Sequence, residues 1–385
     1  MFNENEMTYG YNDVSIQPAK ISEIEHRSEC VTKKNDYLPI FTAPMSTIIN
    51  EKNYDIFDSN GIITILPRNI DIATRNKYME EGKWVAYSLS EFEEIIDKYE
   101  SFNVPAHIVI DVANGNMKKI FTLSKKAKEK YGKNNIILMA GNIANPETYI
   151  EYCKAGIDYV RCGIGGGSGC ITTSNTGIHY GIVKLLFEVY RIKKHIDAFC
   201  VSHLDGRLGS DEYQCVTKVI ADGGIRNYSD VIKALALGAD YVMIGGEFAK
   251  LIESCAQTYG YDYDNHGFMI DPLDGKISIR EIGGCFSIVR KKSERDCVTD
   301  KLYKVFYGMA SKRGQEDLFG KKKGTSEGIE RKVACTTNVD KWVENMNDYL
   351  ASAMSYCDIK EISDFNPDNV EVFLMSNNLQ NSINK

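Results

Sequence analysis

The sequence predicts a single-domain α/β fold, a (β/α)8 TIM barrel. Eight short β-rich apolar runs recur between residues 38 and 245. Most are apolar throughout rather than alternating, the pattern of parallel strands buried on both faces. Polar, helix-favouring segments separate them at a spacing of mostly twenty-odd residues, one βα unit apiece. A doubly wound open sheet is the alternative architecture.

In chain order, residues 1–37 are polar and irregular and read as an N-terminal arm lying across one face. The barrel domain, 38–385, follows. Its runs are Leu38–Ala43, Gly61–Leu66, Trp84–Leu89, His107–Val112, Asn135–Ala140, Tyr159–Ile164, Lys218–Asp222 and Tyr241–Gly245. Helix-favouring stretches include Glu91–Glu100, Met117–Tyr131, Pro146–Ala155, Tyr180–Lys194 and Tyr228–Leu237. Two intervals are oversized: a polar excursion at 196–214 after the sixth run, and a Tyr-, Asp- and Gly-rich one at 254–300 after the eighth. Both leave the C-terminal ends of late strands, where barrel enzymes keep their chemistry. Lys321, Lys322 and Lys323 lie in a glycine-containing segment, 314–328, and Val339–Cys357 reads as a final amphipathic helix on the outer surface. No internal repeat beyond the βα rhythm is apparent.

Composition narrows the function. A net charge of −7 argues against a general nucleic-acid binder but leaves room for an anionic small ligand. No run approaches the roughly 18 apolar residues of a membrane helix, and the opening MFNENEMTYG does not read as a signal peptide. Eleven cysteines without a regular framework read as reduced thiols of a cytoplasmic protein. The six histidines form no zinc-ligand spacing.

The richest stretch is Arg161-Cys-Gly-Ile-Gly-Gly-Gly-Ser-Gly-Cys-Ile-Thr-Thr173. Glycines let backbone N–H groups approach an anion, Ser168 adds a hydroxyl donor, and a polar turn can present the Cys170 thiol as a thiolate. A flexible loop with an incidental cysteine is the bland reading. Gly163-x-Gly-x-x-Ser168 lacks the third glycine of a dinucleotide fingerprint and lies too deep in the fold to be one. Ile220-Ala-Asp-Gly-Gly-Ile225 and Met243-Ile-Gly-Gly246 end the seventh and eighth runs. Paired glycine turns there form the usual phosphate cradle of a barrel, beyond what a tight turn requires. Asp222 suits either ribose hydroxyls or a helix N-cap. Asp111-Val-Ala-Asn-Gly115 and Gly141-Asn142 suit either a second ligand or N-capping, and Glu327 by itself reads as a solvated acid. Cys153, Cys162, Cys200 and Cys357 lack a glycine-rich setting and read as packing residues.

Taken together, the motifs at 167–172, 220–225, 234–245, 307–311 (Tyr-Gly-Met-Ala-Ser) and 327–330 (Glu-Gly-Ile-Glu) resemble the IMP dehydrogenase/GMP reductase family. Tyr11-Asn-Asp-Val and Arg27-Ser-Glu-Cys30 resemble its opening segment, so the likeness covers nearly the whole chain. The resemblance implies a (β/α)8 barrel assembled as a homotetramer. It implies Cys170 as nucleophile at C2 of a purine nucleotide, a thioimidate intermediate, and Thr172 with Glu327 handling the proton. It places Ser168, Gly224, Gly245 and Gly246 at the 5′-phosphate and Asp222 at the ribose. Gly308, Met309 and Ser311 would meet the purine edge, largely through backbone groups, with Met45, Tyr307 and Gly223 as further substrate contacts. Asp111, Ala113, Asn114, Gly141 and Asn142 would lie toward a nicotinamide cofactor, and carbonyls of Gly165, Gly167 and Cys170 would ring a monovalent cation such as K+.

Short intervals between the second, third and fourth runs leave no room for the inserted regulatory modules (cystathionine-synthase-type, CBS) that dehydrogenases usually carry. The flap, about 306–330, has no Arg-Tyr pair. Both features resemble the reductase members, although Ala43-Pro-Met45 is closer to the dehydrogenase form. The implied reaction is GMP plus NADPH giving IMP, ammonia and NADP+. Oxidation of IMP to XMP with NAD+, and a non-catalytic purine-nucleotide-binding barrel, are the alternatives.

Overall fold

The computed structural model describes residues 8–167, 171–203, 216–261, 267–270, 277–278, 302–322, 324–326, 328–335 and 337–375. Each apolar run forms a strand: β1 Ile40–Thr42, β2 Ile65–Leu66, β3 Trp84–Tyr87, β4 Ala106–Asp111, β5 Ile136–Ile143, β6 Tyr159–Cys162, β7 Lys218–Asp222 and β8 Tyr241–Ile244. All pair in parallel, in the order β1-β8-β7-β6-β5-β4-β3-β2. Ile63, just ahead of β2, completes the ring. Its N–H donates to Ile40 O at 2.9 Å and its carbonyl accepts from Thr42 N–H at 3.0 Å. Closure satisfies the backbone groups that an edge strand would leave open. The fold is therefore the expected barrel and not an open sheet.

Helices α1 (Tyr54–Ser59), α2 (Ile72–Glu80), α3 (Leu89–Lys98), α4 (Lys118–Tyr131), α5 (Thr148–Lys154), α6 (Ile182–His203) and α7 (Tyr228–Ala236) alternate with the strands. Side chains of Asp71, Ser88 and Asn227 cap α2, α3 and α7 by accepting a first-turn N–H. The final amphipathic helix, α8 (Val339–Tyr356), buries Trp342, Val343, Met346 and Leu350. Trp342 packs on Phe248 (4.8 Å between ring centroids) and Tyr228 (5.3 Å), which makes α8 the eighth helix of the barrel. Among the described residues, no helix is long and apolar enough to cross a membrane.

The N-terminal mouth is floored by aromatics from alternate parts of the ring. Phe41 lies 5.6, 5.7 and 5.2 Å from the rings of Trp84, Tyr159 and Tyr241. Inward positions recur every second residue of a strand, so Arg161, two beyond Tyr159, also faces the interior, one layer nearer the open end.

The described parts of the two oversized intervals are regular elements. Helix α6 continues through His203 into the first; residues 204–215 lie outside the described set. After β8, the strands β9 (Thr258–Tyr261), β10 (Gly267–Ile270), β11 (Ile277–Ser278), β12 (Tyr303–Tyr307) and β13 (Glu330–Ala334) form an antiparallel sheet ordered β11-β10-β9-β12-β13. The flap belongs to this sheet, with its own helix at Lys312–Phe319 between β12 and β13. Lys304 of β12 is fully buried and donates to the carbonyls of Ile252 (2.7 Å) and Ser254 (2.6 Å), fastening the sheet to the segment that leaves β8. In the arm, Val14–Ile16 pairs antiparallel with Val372–Leu374, and Arg27 meets Asp348 of α8 at 2.9 Å.

Candidate functional site: the open end of strands β4 to β8

Arg161 organises the open end of the barrel. It is 8% exposed, and its guanidinium donates to Asp222 Oδ2 at 2.9 Å and Asp111 Oδ1 at 2.8 Å. Burial works against this charge, but the carboxylates of Asp222 and Asp111 outweigh it and raise the guanidinium pKa above its usual value. Asn142 Nδ2 donates to Asp222 Oδ2 (2.8 Å) and to Gly163 O (2.9 Å). Arg68 Nη1 donates to Asp111 O at 2.6 Å. One hydrogen-bonded network thus ties the ends of β4, β5, β6 and β7. Gly141 makes room for it, since a Cβ there would fall 2.5 Å from Arg161 Cβ. Asp222 is not a helix cap; Asn227 holds that position on α7.

Arg161 is the residue the motif search missed. Its signal was a lone charge inside an otherwise apolar strand, in phase with the inward-facing Tyr159.

The glycine turns behave as their composition suggests. Gly223 and Gly224 have φ of +109° and +80°, values that disfavour any side chain. A Cβ on Gly163 would lie 2.2 Å from Asp222 O, so this glycine lets the ends of β6 and β7 touch. Gly165 likewise admits the Thr173 hydroxyl, which would fall 1.7 Å from an added Cβ. Thr172–Thr176 forms a short helix directly after the loop. Ser168, Cys170 and Glu327 lie outside the described residues.

A cavity of about 200 Å³ opens at the ends of β7, β8 and β1 beneath the flap. Met45, Asp222, Gly223, Gly224, Gly245, Gly246, Gly308 and Met309 line it together with Gly167 and Gly328. Eight substrate residues expected from sequence therefore converge on one space. A larger cavity, about 690 Å³, adjoins it between the arm and Gly163–Gly167 and shares Gly167, Asp222, Gly223 and Gly224. Its volume is that of a small-molecule site, but the expected contacts gather on the smaller one.

Tyr307 and Ser311 line neither cavity. The Tyr307 hydroxyl donates to Asp317 Oδ2 at 2.6 Å, and Ser311 caps the flap helix by accepting from Gly314 N–H at 3.0 Å. Both residues hold the flap. Burial and the Asp317 contact push the Tyr307 hydroxyl above its ordinary pKa. Ser46, next to Met45, joins the same fastening: its hydroxyl donates to Asp317 Oδ2 at 3.2 Å and its N–H to Met309 Sδ at 3.4 Å. Toward the other side, Ala113 and Asn114 are exposed just beyond β4, while Asp111, Gly141 and Asn142 belong to the Arg161 network.

Cys153, Cys162 and Cys357 are buried and their thiols are pushed up by burial, as packing residues would be. The side chain of Cys200 lies outside the described set.

Comparison with known proteins agrees with this geometry. A family model for the IMP dehydrogenase / GMP reductase domain matches residues 8–267. A GMP reductase of Staphylococcus carnosus (strain TM300) is 28% identical over 307 residues, covering 77% of this chain and 83% of that protein. GMP reductases of Staphylococcus aureus strains MRSA252 and JH9 are 29% and 30% identical over 326 residues, covering 80% of this chain and 89% of theirs. On a closed barrel whose β6, β7 and β8 ends carry the family's glycine motifs, that match means the chain belongs to the IMP dehydrogenase/GMP reductase family.

Proposed function

We propose that this protein is a GMP reductase, converting GMP and NADPH to IMP, ammonia and NADP+. The observation that carries the reading is the convergence of Met45, Asp222, the 223–224 and 245–246 turns, Gly308 and Met309 on one cavity under the flap. The names of the relatives favour the reductive direction.

In this reading the glycine turns and Ser168 hold the 5′-phosphate, and Asp222 holds the ribose. The Cys170 thiolate adds to C2 of the guanine, and the C2 amino group leaves as ammonia, protonated by Glu327 acting with Thr172. The product of that step is a thioimidate on Cys170. A hydride is then accepted at C2, the C–S bond breaks, and IMP and the thiolate are released. General-acid help of this kind is worth about 10²–10⁴-fold, and holding C2 against sulfur contributes on the order of 7–11 kcal/mol at best.

NADPH supplies the hydride when bound. Asp111, Ala113, Asn114, Gly141 and Asn142 would hold it, and the exposed polar end of β4 fits that use. The same reading puts a K+ ion at the loop. Gly165, Gly167 and Cys170 would offer carbonyl oxygens, and the Thr173 hydroxyl beside Gly165 is buried with no hydrogen-bond partner among the described residues. The barrel with its flap is read as one catalytic domain, with residues 1–37 as an arm. Assembly as a homotetramer in the cytoplasm completes the reading.

The test is loss of NADPH absorbance on adding GMP, with ammonia measured as product. Cys170→Ala should bind GMP and turn over none of it. Reduction of NAD+ by IMP without GMP-dependent NADPH oxidation would replace the reading with a dehydrogenase.

A further inference from the structure

The flap helix carries a buried amide whose partners come from both ends of the flap, before and after the helix. Gln315 is 8% exposed, in the second turn of Lys312–Phe319. Its Oε1 accepts from Gly324 N–H at 2.9 Å; its Nε2 faces the carbonyls of Ala310 at 3.2 Å and Thr325 at 3.4 Å. One N–H donor on one side and two carbonyls on the other fix which way the amide points.

Beyond Thr325, Ser326 Oγ donates to Gly328 O at 2.6 Å, and Gly328 makes a backbone bridge with Ser311. Gly328, Gly308 and Met309 all line the cavity of about 200 Å³. The first turn of the helix is held on that wall equally closely. A Cβ on Gly314 would fall 2.5 Å from Gly308 O and 2.6 Å from Met309 O. Residues 308–309, the helix, and the described residues 324–326 and 328 are thus tied together by direct contacts, and Gln315 is a side chain that joins the two ends.

We infer that Gln315 is a positioning residue: it sets the distance between the purine-facing wall at 308–309 and the segment that carries Glu327 in sequence. The kinetic consequence rests on the reductase reading. A displacement of about 1 Å in a proton donor is enough to cost roughly a hundredfold in rate. The phosphate and ribose contacts assigned to 222–224 and 245–246 come from other elements than the flap, so most of the nucleotide affinity should be spared.

Two variants separate the alternatives. Gln315→Met keeps length and burial but removes every polar contact. Gln315→Glu keeps the acceptor for Gly324 N–H while setting an oxygen against the two carbonyls. Both should lower kcat by about 10–100-fold with KM for GMP within about threefold of wild type and an unchanged melting temperature to within a few degrees. Gln315→Asn, which keeps the amide on a shorter arm, should recover part of the loss. Limited trypsin digestion, which reads release of the segment after Lys321 and Lys322, should be faster in the Met and Glu variants.

A kcat within twofold of wild type in both would overturn the inference. So would a loss of kcat matched by an equal rise in KM or by loss of the folded state. If the wild-type protein shows no GMP-dependent NADPH oxidation, the reductase reading fails on its own. The digestion still decides whether Gln315 joins the two segments, and unchanged cleavage means it does not.

Discussion

At the scale of single residues, Arg161 has the largest consequence. One guanidinium spans its two carboxylate partners, whose side chains are 18% and 15% exposed, and so binds both into the barrel end. Replacing Arg161 by Met would take the guanidinium from Asp222 and leave Asp111 only the more distant Arg68, whose Nε lies 3.8 Å from Asp111 Oδ2. Breaking a buried ion pair from one side costs about 3–5 kcal/mol, so Arg161→Met should lower the urea midpoint by a corresponding amount. Arg161→Lys should not restore it, because a single ammonium lacks the fork that reaches two carboxylates at once. A variant midpoint equal to wild type would mean that the network contributes nothing net to stability. Such a residue was readable in the sequence only as an anomaly. Glycine-rich turns announce themselves by composition, whereas a buried charge in an apolar run has to be placed on the inward face before its role is visible.

At the scale of elements, the longer helices were legible as polar, helix-favouring stretches between the apolar runs, and local chemistry at their ends holds them in place. In α3, Ser88 and Glu91 form a capping box, and Glu91 also receives Arg75 of α2 through bonds of 2.6 and 3.2 Å. Burial alone would raise the Glu91 pKa, but Arg75 and the Ser88 N–H more than offset it and hold the carboxyl at about 2, against an ordinary 4.5. The folded value lies below the unfolded one, so the pair stabilises the protein above about pH 4.5 and the gain disappears as pH falls toward 2. Glu91→Gln should therefore cost on the order of 1–3 kcal/mol at pH 7. The gap between variant and wild-type unfolding curves should narrow below pH 4.5 and close near pH 2. A gap independent of pH would assign the loss to packing instead. The sheet after β8 was not legible for the opposite reason. Its central pairing joins Thr258 and Tyr259 to Lys304 and Tyr303, far along the chain, and no local signal marks a pairing between segments so distant in sequence.

The whole molecule contains a short repeat that no functional motif marks. Gly156-Ile-Asp-Tyr-Val160 leads into β6 and Gly238-Ala-Asp-Tyr-Val242 into β8. The two aspartates do the same work. Asp158 accepts from Leu138 N–H of β5 (2.7 Å) and Lys128 Nζ (2.6 Å); Asp240 accepts from Val219 N–H of β7 (2.7 Å) and Lys193 Nζ (2.6 Å). Each ties a strand to its predecessor at the floor of the barrel, one in each successive βαβ unit. The repeat is faint because it is carried by spacing and a few polar positions, while the residues between are interchangeable apolar ones.

Asp158→Asn and Asp240→Asn should each destabilise by about 2–3 kcal/mol, since each leaves a lysine without its carboxylate. Asp158→Asn should cost more, because the side chain of Lys128 is 7% exposed against 17% for Lys193. The two sites share no partner and lie two strands apart, roughly 10 Å. In a closed ring that unfolds as one unit, the double variant should show a single transition shifted by the sum to within about 0.5 kcal/mol. If the two βαβ units instead unfold independently, each substitution will move only one of two transitions. Hydrogen exchange in β5–β6 and β7–β8 would then respond separately, and closure by Ile63 would be structural pairing without thermodynamic coupling.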